Sequence, residues 1–134
     1  MAKKINGSLD TNTLLRLVLG DVPKQTAAVD SLLMNGGVFQ VSDITIVEMV
    51  FVLEKIYHQP RTLVIDNINA IMAHSNIDCN RKVFNLTLPL YLANPKLSIV
   101  DCLLTKYAEL NKATPLYTFD ADLAKTCSPT TQLL

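Results

Sequence analysis

Asp10, Glu48, Asp101 and Asp120 each stand where an apolar segment ends or a helix should begin: Leu9-Asp10-Thr11-Asn12, Ile46-Val47-Glu48-Met49, Ser98-Ile99-Val100-Asp101 and Thr118-Phe119-Asp120. Carboxylates are hard oxygen donors of the kind that Mg²⁺ and Mn²⁺ prefer. If strands and helices alternate, such junctions can gather on one rim of a parallel sheet, where four acids would form a divalent-metal pocket. Crowded carboxylates repel one another without a metal, which should raise at least one of their pKa values. Each acid also has a purely local reading. Asp10 can close a turn, Asp101 follows Ser98 at capping-box spacing, Glu48 stands likewise after Thr45, and Asp120 can begin a helix. Capping duties are independent of one another, so they do not explain why every such position carries an acid beside a small polar neighbour such as Asn12, Ser98 or Thr118.

The elements that must carry these residues follow from apolar periodicity and breakers. A short strand over 5–9, weakened by Asn6 and Gly7, leads through Asp10-Thr11-Asn12 into an apolar helix over 14–19, which Gly20-Asp21-Val22-Pro23 interrupts. A helix over 24–35 stops at Gly36-Gly37, and Val38-Phe39-Gln40-Val41 reads as a second strand. Ser42 and Asp43 can cap a helix over 44–57, so apolar that it must be buried on two sides or against a partner. Further helices are expected over 60–74, 81–93 and 98–111, with Pro89 kinking or shortening the second of these. Ser75-Asn76-Ile77-Asp78 is a brief extended piece. Thr114-Pro115-Leu116-Tyr117-Thr118-Phe119 is the clearest late strand, and a short helical turn over 120–125 follows it. Parallel strands need crossover helices, so this alternation predicts a three-layer α/β/α sandwich with a mostly parallel central sheet.

At 134 residues and 49% hydrophobic, residues 1–134 read as one domain with ample material for a core. No apolar run approaches the roughly 18 residues of a membrane span, and Met1-Ala2-Lys3-Lys4-Ile5-Asn6-Gly7 lacks a signal-peptide core, so a cytoplasmic protein is expected. Cys79, Cys102 and Cys127 are odd in number and widely separated, and read as reduced, mostly buried thiols. Twelve basic and twelve acidic residues cancel, which argues against nucleic-acid binding through charge alone. His58 and His74 are too distant in sequence for a helical metal pair, and no phosphate-cradling glycine loop or serine-nucleophile elbow is present.

Leu9-Asp10-Thr11-Asn12-Thr13-Leu14-Leu15-Arg16 with Gly20-Asp21, Ser42-Asp43-Ile44 leading to Glu48, Leu97-Ser98-Ile99-Val100-Asp101-Cys102-Leu103-Leu104, and Leu116-Tyr117-Thr118-Phe119-Asp120-Ala121-Asp122-Leu123 resemble the four signature blocks of the PIN domain. More narrowly, they resemble the VapC-type toxins of toxin-antitoxin pairs. The departures are the Asn6-Gly7 interruption and Cys102, where the family often has alanine. The resemblance implies a metal-dependent ribonuclease, commonly a homodimer and held inactive by a small antitoxin. Asp10, Glu48, Asp101 and Asp120 would be its acidic quartet, Asn12, Ser98 and Thr118 hydrogen-bonding neighbours, and Asp122 a substitute for Asp120. Hydrolysing a phosphodiester needs a hydroxide at neutral pH and compensation for developing negative charge, which one or two Mg²⁺ or Mn²⁺ ions supply. Arg16, Lys82, Lys106 and Lys125 are candidate phosphate contacts. Surplus apolar surface on the 44–57 helix and at Leu86, Leu88, Leu90, Tyr91 and Leu92 suits a dimer or an antitoxin groove as well as a core. A haloacid dehalogenase-like phosphatase is disfavoured, because Asn12 stands where that family places a second acid. A PIN scaffold that binds RNA or protein without cleaving is the other alternative.

Overall fold

Every helix begins with backbone N–H groups that lack a carbonyl partner, and at four of the described helices short polar side chains meet them. A computed structural model describes residues 4–134. Met1, Ala2 and Lys3, part of the run read above as lacking a signal-peptide core, lie outside these residues. The chain divides into two compact units, Met1–Asn80 and Arg81–Leu134.

The first unit contains β1 (Gly7–Ser8), α1 (Thr11–Leu19), α2 (Pro23–Met34), β2 (Phe39–Gln40), α3 (Asp43–Lys55), α4 (Arg61–Met72) and β3 (Ile77–Asp78). Its strands form a parallel sheet in the order β1-β2-β3, so each connection is a crossover through two helices. Strand β1 is shorter than the expected 5–9. Asn6 nevertheless extends the pairing: its N–H donates to the Val38 carbonyl at 2.7 Å, and its side-chain oxygen accepts from the Val38 N–H at 2.9 Å. Gly37 makes that approach possible, because its φ of +98° suits glycine and a Cβ there would lie 3.1 Å from Cγ and Oδ1 of Asn6.

The core of this unit follows the helical period. Ile46, Met49, Val50 and Leu53 form a fully buried stripe on α3, facing α1 and α4, which bury Leu14, Leu15, Val64, Ile68 and Ile71. Only one side of α3 is buried, and Ile44, Phe51 and Ile56 are exposed. Asp10 starts α1: its Oδ1 accepts from the Thr13 N–H at 2.9 Å and from the Thr13 hydroxyl at 2.7 Å. Gly20 ends the helix in the left-handed conformation, donating its N–H to the Arg16 carbonyl. Ser42 caps α3 through the Thr45 N–H.

The second unit contains α5 (Arg81–Ala93), α6 (Ile99–Leu110), β4 (Leu116–Thr118), α7 (Ala121–Thr126) and β5 (Thr131–Leu133). The pair β4-β5 is parallel, and β5 has no counterpart in the sequence reading. Helices α5 and α6 pack together, burying Val83, Phe84, Leu88 and Tyr91 against a stripe that includes Ile99, Cys102 and Leu103. Pro89 does not shorten α5. It lies on the exposed side, as does Asn85, whose carbonyl loses its helical donor to the proline and can turn to water. Buried hydroxyls are satisfied locally: Thr87 donates to the Val83 carbonyl at 2.7 Å and Thr131 to that of Leu123 at 2.8 Å. All three cysteines are thiols, but Cys102 alone is fully buried, because Cys79 and Cys127 fall at the edges of elements. Burial raises the Cys127 pKa, which favours its neutral form.

Substituting Gly37→Ala should cost about 1–3 kcal/mol in urea denaturation, through the positive φ and the crowding of Asn6. The two Thr13 donors hold the Asp10 carboxyl below its ordinary pKa. A depressed carboxyl stabilises the fold above its unfolded pKa and loses that contribution as pH falls through the folded one. Asp10→Ala should therefore cost about 1 kcal/mol at pH 7, with the gap from the parent narrowing at strongly acidic pH in the same assay.

Candidate active site

The C-terminal end of β1 delivers Asp10 to the start of α1, because Leu9 continues the ladder by donating its N–H to the Gln40 carbonyl at 3.0 Å. Asp10 is exposed, and its carboxyl is held ionised chiefly by the Thr13 hydroxyl, then by the Thr13 N–H. This is the opposite direction from that expected of a crowded carboxylate. Asn12 lies exposed one residue into α1. Glu48 belongs to the same unit, on the exposed side of α3, in its second turn. It does not cap through Thr45, since Ser42 takes that amide, so Glu48 is the one acid of the four with no capping duty.

The second unit carries the other two acids. Asp101 is half-buried at the third position of α6, in a reciprocal capping box: Ser98 Oγ accepts its N–H at 3.1 Å, and its Oδ2 accepts the Ser98 N–H at 3.4 Å. Asp120 follows β4 and caps α7 through the Leu123 N–H at 3.1 Å, while its own N–H donates to Thr118 Oγ1 at 3.0 Å. Ser98 and Thr118 are thus hydrogen-bonded to the acids they accompany. Asp122 is exposed in the first turn of α7, where its charge suits the helix N-terminus.

Carboxylates are the donors that hard divalent cations prefer. A carboxylate has two oxygens, and each of the three capping acids commits one of them to its cap, so an oxygen remains for a cation. Among the described residues, no three His, Cys, Asp or Glu side chains are grouped as ligands of a metal ion.

The candidate phosphate contacts divide. Arg16 donates to Asp21 at 2.8 Å and to the Tyr57 hydroxyl at 3.2 Å, tying the end of α1 to the residues that follow α3. Lys106 pairs with Glu109 at 3.1 Å. Lys82 and Lys125 are exposed. The partners that orient these groups differ in how local their sequence signal is. Thr13 could have been found from its spacing after Asp10, whereas Tyr57 lies 41 residues from Arg16, beyond any local signal.

No described helix is long and apolar enough to cross a membrane. A comparison with curated proteins returned no match. The family model described as the PIN domain matches residues 8–129, a span that crosses both units and takes in all four acids. The mixed α/β architecture with parallel strand pairs agrees with the expected PIN-like fold. PIN domains are generally nucleases that act on nucleic acid and use divalent metals. By this match the chain belongs to the PIN domain family.

Proposed function

We propose that this PIN domain is a metal-dependent endoribonuclease, with Asp10, Glu48, Asp101 and Asp120 as its acidic quartet and residues 1–134 working as one nuclease domain. The observation that carries the reading is the family match over residues 8–129, within which the four acids stand in the order of the signature blocks. Mg²⁺ or Mn²⁺ would supply hydroxide at neutral pH and offset charge on the scissile phosphate. Asp10 and Asp101 would be the nearest ligands, with Glu48 and Asp120 serving a second ion or orienting the attacking water. Asn12, Ser98 and Thr118 support these acids, with Asp122 beside Asp120. Lys82 and Lys125, both exposed, are the candidates freest to meet the RNA backbone, while Arg16 and Lys106 would have to share their present partners.

In the same reading the protein is the toxin of a VapC-type pair, restrained by a small antitoxin and assembled as a homodimer. Exposed Ile44 and Phe51 on α3, Leu86 and Leu92 on α5, and Val100 and Leu104 on α6 supply apolar surface for such partners. Three cysteine thiols suit the reducing cytoplasm. A PIN scaffold that binds without cleaving is the second reading. It has a physical basis in the capping by Asp10, Asp101 and Asp120, since those acids would serve folding alone.

Incubating purified protein with a mixed pool of structured RNAs in Mg²⁺, Mn²⁺ or EDTA separates the two. The nuclease reading predicts metal-dependent cleavage that falls roughly a thousandfold or more in an Asp10→Asn, Asp101→Asn double variant whose circular dichroism matches the parent. Equal cleavage by parent and folded variant, or cleavage undiminished in EDTA, would contradict it.

A further inference from the structure

We propose that Phe119 is a base-stacking residue of the RNA-binding surface: its ring stands open to solvent just past β4 and takes the face of an unpaired base, with Tyr117 as a second platform. The inference rests on the reading of this chain as a ribonuclease and adds to it a residue that holds the substrate.

The phenylalanines differ sharply in their surroundings. Phe84 is fully buried and Phe39 nearly so, whereas Phe119 is 81% exposed, more than any other described aromatic side chain. A single exposed apolar residue is ordinary, and it is the setting of Phe119 that sets it apart. The Asp120 N–H donates to Thr118 Oγ1 at 3.0 Å, closing a tight turn around Phe119, and the Thr118 carbonyl accepts the Leu134 N–H at 2.9 Å. The ring is therefore presented from a pinned backbone, and an aromatic side chain has only two torsions left to order when a ligand binds.

Burial alternates through Tyr117, Thr118 and Phe119, which puts the two aromatics on the same side of the strand. Tyr117 is 57% exposed, and Gln132, its neighbour on β5, is exposed as well, so this side of the β4-β5 pair is open. Residues two apart on a strand are separated by roughly 6–7 Å, about twice the 3.4 Å rise between bases in a duplex. Rings at that interval suit bases splayed from a single strand, the form in which aromatic side chains take RNA.

Charge favours the same occupant. Residues 81–134 carry six Lys or Arg against four Asp or Glu, while residues 1–80 carry six against eight, so the excess of cations lies in the unit that holds Phe119. Exposed aromatic faces within a positively charged surface are the combination that binds single strands through stacking and backbone attraction together.

The test is fluorescence anisotropy of a labelled single-stranded RNA of about 12 nucleotides binding to the full chain in EDTA, beside the same sequence as a duplex. Phe119→Ala should weaken single-strand binding about tenfold, as expected on removing one stacking platform, and change duplex binding by less than about twofold. Phe119→Trp should bind at least as tightly as the parent. Phe119→Leu, apolar but without a π face, should match Phe119→Ala. Because the side chain is exposed, each variant should keep the circular dichroism of the parent; should Phe119→Ala unfold, Phe119→Leu against Phe119→Trp decides alone. Parent-like single-strand affinity in folded Phe119→Ala or Phe119→Leu overturns the inference and leaves the ring to a protein partner. Cleavage in Mn²⁺ separates the two levels. If the parent cleaves RNA and Phe119→Ala binds as the parent does, only the role of Phe119 fails. If the parent binds without cleaving and Phe119→Ala loses binding, the stacking role stands on a non-cleaving scaffold. If the parent neither binds nor cleaves RNA, the ribonuclease reading and the inference fail together.

Discussion

The unpaired N–H groups at helix N-termini are the constraint from which the rest of this structure follows. Parallel pairing obliges each strand to be followed by helical crossovers, and each such helix needs an acceptor at its start. In this chain side chains supply that acceptor at four helices, Asp10 for α1, Ser42 for α3, Ser98 with Asp101 for α6, and Asp120 for α7, whereas α2 and α4 begin at Val22 and Pro60 with no side-chain cap. The device that begins the helices therefore also places carboxylates at the ends of strands β1 and β4. In the proposed nuclease, folding and chemistry would draw on the same side chains, and a carboxylate can serve both because its two oxygens are separable.

Packing then fixes which face of each helix remains outside. On α3 the stripe of Ile46, Met49, Val50 and Leu53 buries one side completely and leaves Glu48 on the other, flanked by exposed Ile44 and Phe51. An acid in that setting contributes nothing to a cap and little to a core. Its presence is therefore the part of the quartet least explained by folding. Arg16 shows the converse: a cation that reads as a phosphate contact is engaged with Asp21 and Tyr57, where it ties two segments of one unit together.

Much of this was legible in the sequence because the signals are local. Apolar periodicity and breakers placed seven helices near their observed bounds, and the spacing of Ser98 and Asp101 announced the capping box that forms. Strand β5 escaped because Thr131-Gln132-Leu133 is short and depends on β4 for its partner. Strand β1 was drawn too long because the pairing beside it is carried by an asparagine side chain and permitted by a glycine 31 residues away. The acids were identified by type and order, and their local settings follow from capping. What sequence could not supply was the engagement of individual oxygens, such as the two Thr13 donors on Oδ1 of Asp10, since that is decided by rotamers.

We propose that Asp10, Glu48, Asp101 and Asp120 serve one metal-dependent function although two belong to each compact unit. Mn²⁺ titration of the parent and of four single variants, Asp10→Asn, Glu48→Gln, Asp101→Asn and Asp120→Asn, tests this most directly. Every substitution is expected to weaken Mn²⁺ binding while the fold is retained. Parent-like affinity in both Asp101→Asn and Asp120→Asn, or in both Asp10→Asn and Glu48→Gln, would contradict it.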